Sequence, residues 1–299
     1  MTSTDVSRAG ADPVAAETAP DAARLVRFRL LRRLGRSKLA MVSLVVLATL
    51  IAAAVLAPLI TPYPPEKQII ADRLQGPSGS HWLGTDAIGR DILSRLIFGL
   101  RVSLLAGFQA TAVSALLGIP IGLISGYTTR LVDGFVNTVA EALMAIPPLL
   151  LALSILGIRG PGLTNAMLAI GVILAPRFYK VARASARSVR EETYIEASRS
   201  IGCSTPRILW RHVLPNISGP LLVQTSFVIG LAIVAEASLS FIGLGVQDPT
   251  PSLGSMVHDA SRFMRQESFG IWPPSVAIVV IVSALSILGD AIRDALGRD

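Results

Sequence analysis

Charge is scarce in this chain. Only 16% of its 299 residues are Asp, Glu, Lys or Arg, against about 25% in an ordinary soluble domain. Cysteine is scarcer still. Cys203 stands alone, so no disulfide can close within the chain and no Cys-rich metal site can form. No Gly-rich loop ends in Gly-Lys-Ser/Thr, which excludes the common phosphate cradle of an ATPase. The histidines, His81, His212 and His258, are scattered, and no nucleophile–base set accompanies them. Nothing therefore supports hydrolase, nuclease or redox chemistry. The first 20 residues are small and polar, lack the apolar core of a secretory signal peptide, and read as disordered. Acids are missing from Arg24 to Lys38, where seven basic residues cluster. In a membrane protein such a cluster marks the cytoplasmic side and meets anionic lipid, rather than binding nucleic acid.

What the chain has instead is apolar length. Hydrophobic residues make up 52%, the composition of an all-α polytopic membrane protein. A helix needs about 20 apolar residues to cross a bilayer core. Six runs qualify or nearly so: Leu39–Ile60, Ser103–Ile124, Phe135–Leu156, Gly162–Phe178, Ile217–Ala235 and Ile271–Leu288. The fourth is short and is ended by Arg177. None alternates as a barrel strand would, so helices are expected, kinked at prolines such as Pro120, Pro147 and Pro148. Basic residues concentrate before the first run and between Lys180 and Pro215. Six spans with both termini cytoplasmic fit this bias. The expected organisation is a basic arm at 1–35 and a membrane domain at 36–299, with an outer segment at 61–100 and a cytoplasmic loop at 180–215.

That loop is patterned. In "TYIEASRSIG", Tyr194, Ala197, Ser198 and Ile201 share one helical face. Gly202 suits a helix stop. In "STPRILWRHVLP", Thr205 can cap, Pro206 suits the first turn and Pro215 ends the run. Ile208, Leu209, His212 and Val213 share a face, with Arg207 and Arg211 on another. Two short helices around a glycine are expected. They either dock a partner or lie on lipid.

Polar groups inside the spans are costly and must face a cavity, a neighbour or the interface. Glu141, Gln109, Gln224 and Glu236 are candidates for pathway or interhelical contacts. On the outer side, Gly84–Thr85–Asp86 would cap an amphipathic helix starting near Ala87. Its Arg90, Asp91 and Arg95 would point away from the apolar face. This helix either seats a partner or packs on the bundle. Asp86 and Asp91 are too few for a metal site, and His81 has no evident partner.

Glu196–Ala197–Ser198, then Gly202, His212 and Leu214–Pro215, resemble the cytoplasmic docking loop of binding-protein-dependent ABC importer permeases. Two places depart from that pattern: Ser198 replaces an alanine and His212 an isoleucine, although "RHVLPN" is familiar in the peptide-importer branch. "PSGSHWLGTDAIGRDILSRLIFGLRVSL" is similar to the same branch through His81, Gly84–Thr85–Asp86, Gly89–Arg90–Asp91, Ser94–Arg95, Gly99 and Arg101. "EASLSFIGLGVQDPTPSLGSM" and "LGDAIRDAL" continue the likeness, which covers about residues 35 to 297. The resemblance implies a type I importer fold and a C-type permease of the dipeptide/oligopeptide (peptide/nickel) branch. It implies a second, homologous permease, two cytoplasmic ATPases carrying ATP and Mg, and an outer solute-binding protein that delivers peptide. The chain itself would hold no cofactor and catalyse nothing. Nickel chelates or glutathione are alternative cargoes. A self-contained carrier or a plain anchor would not need the docking loop.

Overall fold

The computed structural model describes residues 37–127, 130–266 and 269–297. The basic arm at 1–35 lies outside them. Each apolar run is helical, because only a helix satisfies its own backbone groups in lipid. Helix α1, Lys38–Val55, starts where the Ser37 hydroxyl accepts from the Ala40 N–H at 3.3 Å. At Leu56 the chain bends into α2, Ala57–Ile60, because Pro58 cannot continue the backbone ladder. Helix α3, Ile92–Tyr127, has 36 residues and is about 54 Å long at 1.5 Å per residue. The expected span Ser103–Ile124 is only its middle part.

The third span is not one helix. It comprises α4, Arg130–Ala145, and α5, Pro148–Arg159, bent by 93°. Pro147 and Pro148 remove two successive backbone donors and push the residues before them out of helical geometry. The fourth span is longer than expected. Helix α6, Leu163–Arg190, runs through Arg177 without a break. Four short elements follow in the loop at 180–215: α7 (Thr193–Ser200), α8 (Thr205–Ile208), a π turn (Leu209–Val213) and α9 (Leu214–Asn216). Helix α10 (Ser218–Phe241) leads to α11 (Leu253–Arg262), and α12 (Trp272–Leu296) closes the bundle.

Helices α3 and α6 form the central pair. Gly118, Gly122 and Gly126 of α3 bring the two backbones together. A Cβ at Gly118 would sit 2.3 Å from the Ala175 carbonyl oxygen, one at Gly122 2.6 Å from that of Tyr179, and one at Gly126 2.7 Å from that of Arg183. Small residues four apart permit this approach, which drives packing between helices in lipid. The contacts advance in step along both helices, so α3 and α6 run parallel. The chain between them must therefore return to the opposite end. The bent pair α4–α5 makes that return, which raises the count from five long spans to six crossings. Each central helix also carries an internal proline, Pro120 in α3 and Pro176 in α6. Helix α10 packs beside them, with Ile233 against Gly107. The most apolar window of α6 is 67% buried, but those of α1 and α12 are only 22% buried. Those two helices are therefore the least covered by the rest of the chain, with Val42, Val45, Val276 and Val279 exposed.

Candidate functional site: the cytoplasmic loop and the outer cap

The loop at 180–215 has an anchored face and an open one. Ile195, Ile208, Val213 and Ile217 are buried in the same apolar core as Ala182 and Ala186 of α6. Tyr194, Glu196, Ala197 and Arg207 are exposed, and Ile201 is 81% exposed. Ser198 is half-buried and donates its hydroxyl to the Tyr194 carbonyl at 2.8 Å. Tyr194 Oη accepts from Asn216 Nδ2 at 2.7 Å, tying the first short helix to the last.

Gly202 is exposed with φ +82°, the left-handed geometry in which glycine ends a helix. Its N–H reaches the Arg199 carbonyl at 2.9 Å, and the next N–H reaches that of Ser198 at 3.1 Å. Ser204, not Thr205, takes the cap position, and Thr205 is already helical. Pro215 does not end the run. It has no N–H to offer the Arg211 carbonyl, so the helix widens into the π turn and continues through Leu214 to Asn216. His212 and Leu214 are half-buried and Pro215 is exposed.

Two contacts fasten this loop to the bundle, and neither was evident in the sequence. Arg199 Nε donates to Tyr127 Oη at 2.8 Å, with its guanidinium 4.7 Å from that ring's centre. Tyr127 is the last residue of α3. Above it, the buried Asp133 carboxylate accepts from Arg183 Nε and Nη2 and from the Ser125 hydroxyl, with Arg187 3.3 Å away. This cluster joins α3, α4 and α6 at the end of the bundle that carries the loop. A cavity of about 680 Å³ opens beside it, lined by Ile124, Tyr127, Arg190, Arg199, Pro206 and Trp210.

The outer segment differs from the expected helix. Residues 84–91 form turns, and α3 begins only at Ile92. Gly84 (φ +79°) and Gly89 (φ +75°) prevent an earlier start, and a Cβ at Gly89 would lie 1.8 Å from the Ile69 carbonyl oxygen. Asp91 caps the helix instead, accepting from the Ser94 N–H and hydroxyl, each at 2.8 Å. Its other oxygen lies 2.9 Å from His81 Nδ1, so His81 does have a partner.

Arg90, Asp91 and Arg95 are buried, not surface charges. Asp86 accepts from the Arg90 N–H at 2.9 Å and from Arg90 Nε at 2.5 Å. Arg90 reaches Asp259 at 3.3 Å and Asp248 at 3.5 Å. Arg95 lies 3.5 Å from Asp259 and 3.6 Å from Asp86. Burial pushes the Asp259 carboxyl above the usual carboxylate range, and Arg95 works against that shift. The cluster locks residues 81–95 to residues 248–259. Arg101, further along α3, is exposed.

The intramembrane polar residues divide. Glu236 is fully buried; it accepts from Ser240 at 2.7 Å and from Ser103 at 2.8 Å, bridging α10 and α3. Ser103 also accepts from the Leu253 N–H at 3.2 Å, which adds the start of α11. Glu141 is exposed and accepts from Asn137 at 2.8 Å. Gln109 is half-buried. Gln224 lines a second cavity with Arg177. Among the described residues no three His, Cys, Asp or Glu side chains gather as a metal site.

The described residues form an all-α bundle with several helices long and apolar enough to cross a membrane, and the loop at 180–215 is open on one face. Residues 118–299 match the family model of the binding-protein-dependent transport system inner membrane component, and residues 28–77 match the N-terminal TM domain of oligopeptide transport permease C. The chain belongs to this family of ABC importer permeases. Similar proteins include the dipeptide transport system permease protein DppC of Alkalihalophilus pseudofirmus, 38% identical over 265 residues, or 89% of this chain and 87% of that one. The glutathione transport system permease protein GsiD of Pectobacterium atrosepticum is also 38% identical, over 266 residues covering 89% and 88%. Among solved structures, the MetNI methionine ABC transporter in inward-facing conformations superposes with a TM-score of 0.55 at 18% identity. It covers 68% of this chain and 97% of that chain. That likeness establishes the type I importer permease fold.

Proposed function

We propose that this chain is one of two homologous permeases in an ATP-driven importer of dipeptides or oligopeptides at the bacterial inner membrane, with both termini cytoplasmic. Two ATPase subunits, which carry the ATP and Mg, dock on the loop at 180–215. An outer solute-binding protein delivers the peptide to the side that carries the cap. The observation that carries this reading is the two-faced loop. Ile195, Ile208 and Val213 anchor it, while Tyr194, Ala197 and Ile201 stand uncovered. An apolar side chain such as Ile201, 81% exposed in a cytoplasmic segment, is what a partner's groove would cover. The basic arm would rest on anionic lipid.

Peptide cargo is supported by the dipeptide permease among the similar proteins. Glutathione remains the second reading because the GsiD permease is equally similar, and nickel chelates are the third. The test is purification of the complex from its native membrane in mild detergent, followed by an ATPase assay with loaded binding protein. Recovery of a second permease and ATPases, with stimulation by peptide, supports the proposal. Stimulation by glutathione or a nickel chelate alone would replace the cargo. Recovery of this chain by itself, without ATPase activity, would refute the assembly.

A further inference from the structure

Arg177 looks in the sequence like the end of a span, but in the structure it sits inside one. It lies 14 residues past the start of α6 at Leu163, about 21 Å along the helix axis. Another 13 residues of helix follow, ending with Arg190. Its side chain is exposed in this chain and lines a cavity of about 330 Å³ between α6, α10 and α12. That volume is on the scale of small-molecule sites, which start at about 300 Å³. Gln224 of α10 and Ser286 of α12 share the wall; Phe227, Leu231, Val234 and Val282 supply the apolar remainder. No acid lines this cavity. None of the three polar side chains has a hydrogen-bond or ion-pair partner among the described residues, whereas Asp133 engages Arg183 and Arg187, two later cations of the same helix.

A guanidinium within a helix that is long and apolar enough to span is costly unless water or something negative meets it, so such a cation facing a cavity points to a substrate path. We propose that Arg177 is a specificity-determining residue of the translocation pathway and receives the C-terminal carboxylate of the passing peptide, with Gln224 and Ser286 as neutral donors beside it. This rests on the peptide reading above. The chemistry suits that cargo. Every unmodified peptide carries one terminal carboxylate whatever its sequence, and a guanidinium meets a carboxylate with two parallel N–H donors. The apolar remainder of the wall tolerates varied side chains. One fixed charge in an otherwise permissive cavity gives binding that is general for peptides and weak enough to release them.

The experiment uses the whole complex in proteoliposomes, with its binding protein saturated by a short peptide as the free acid or as the C-terminal amide. Uptake is compared for the unaltered complex, Arg177→Gln and Arg177→Lys. Losing a hydrogen-bonded charge pair should slow free-acid uptake on the order of tenfold or more in Arg177→Gln. Amide uptake should stay unchanged, and Arg177→Lys, which keeps the charge but loses the paired donors, should retain part of the free-acid rate, above that of Arg177→Gln. Equal rates in all three complexes, or equal losses for acid and amide, would overturn the proposal. If the binding protein refuses the amide, the Lys and Gln variants decide on the free acid alone: equal rates overturn, retention only by Lys supports. Loss of the second permease from purified Arg177→Gln complexes would assign the guanidinium to an acid of that partner and also overturn it. No peptide uptake by the unaltered complex would refute the cargo reading instead, which keeps the two failures apart.

Discussion

Replacing Gly122 by Ala tests whether the α3–α6 seam holds the bundle together. The new Cβ would lie 2.6 Å from the Tyr179 carbonyl oxygen, 2.7 Å from the Ala182 Cβ and 3.1 Å from the Arg183 backbone nitrogen. Two of those atoms are backbone and the third is fixed to it, so no side chain can rotate away. The helices must part by several tenths of an ångström, loosening the contacts at Gly118 and Gly126 as well. Overpacking of this kind costs about 1–3 kcal/mol. Alanine also favours the helix over glycine by about 1 kcal/mol, which would mask part of the loss. Gly134→Ala supplies the correction. That glycine is helical too, but nothing lies within 4 Å of its added Cβ. Subtracting the two variants removes the propensity gain and leaves the packing cost. Reversible denaturant unfolding of the purified permease in mixed micelles should place Gly122→Ala about 1–3 kcal/mol below Gly134→Ala. Gly118→Ala should be worse, because its Cβ would sit only 2.3 Å from a carbonyl oxygen. If Gly122→Ala is as stable as Gly134→Ala, the close approach of α3 and α6 is not what holds them.

Other outcomes are expected. Asp133→Asn removes the charge that Arg183 and Arg187 share and should cost about 1–3 kcal/mol in the same unfolding assay; combining it with Arg183→Gln should cost less than the sum of the two. Gly202→Val places a β-branched residue at φ +82°, a strain of about 1–2 kcal/mol. Inserted protein should then retain ATPase partners poorly or hydrolyse ATP without uptake, and normal ATP-dependent uptake would contradict the docking role. Glu196→Lys reverses an exposed charge on the open face; ATPase recovery on co-purification should fall while unfolding stays unchanged. Asp91→Ala strips the α3 cap of three polar contacts and should destabilise the outer end by about 1–3 kcal/mol, yet leave ATPase co-purification intact.

The spans were legible where hydrophobicity alone decides. Runs such as Ser218–Phe241 and Trp272–Leu296 are helices because lipid allows nothing else. The patterning around Gly202 also foretold two short helices, because glycine and proline act locally. What failed was everything set by distant partners. Arg90 and Arg95 looked like surface charges because Asp248 and Asp259, which neutralise them, lie more than 150 residues away in sequence. His81 looked unpartnered although Asp91 is only ten residues on, since the turns that join them depend on Gly84 and Gly89. Arg177 looked like a boundary because a hydropathy count cannot see a cavity. Pro147 and Pro148 signalled a kink, but the 93° turn depends on how α5 packs against α6.

The two internal prolines stand close in height. Gly118 meets Ala175, Phe178 and Tyr179 across the seam, so Pro120 of α3 lies within about one helical turn of the level of Pro176 of α6. Each lacks the N–H that would bind the carbonyl one turn back. A notch in one strip of a glued pair would split the joint when the pair flexed. Notches cut through both strips within a short stretch let the laminate flex as one piece, with its seam closed. The seam joined at Gly118, Gly122 and Gly126 thus also carries both breaks in the backbone ladder of the central helices.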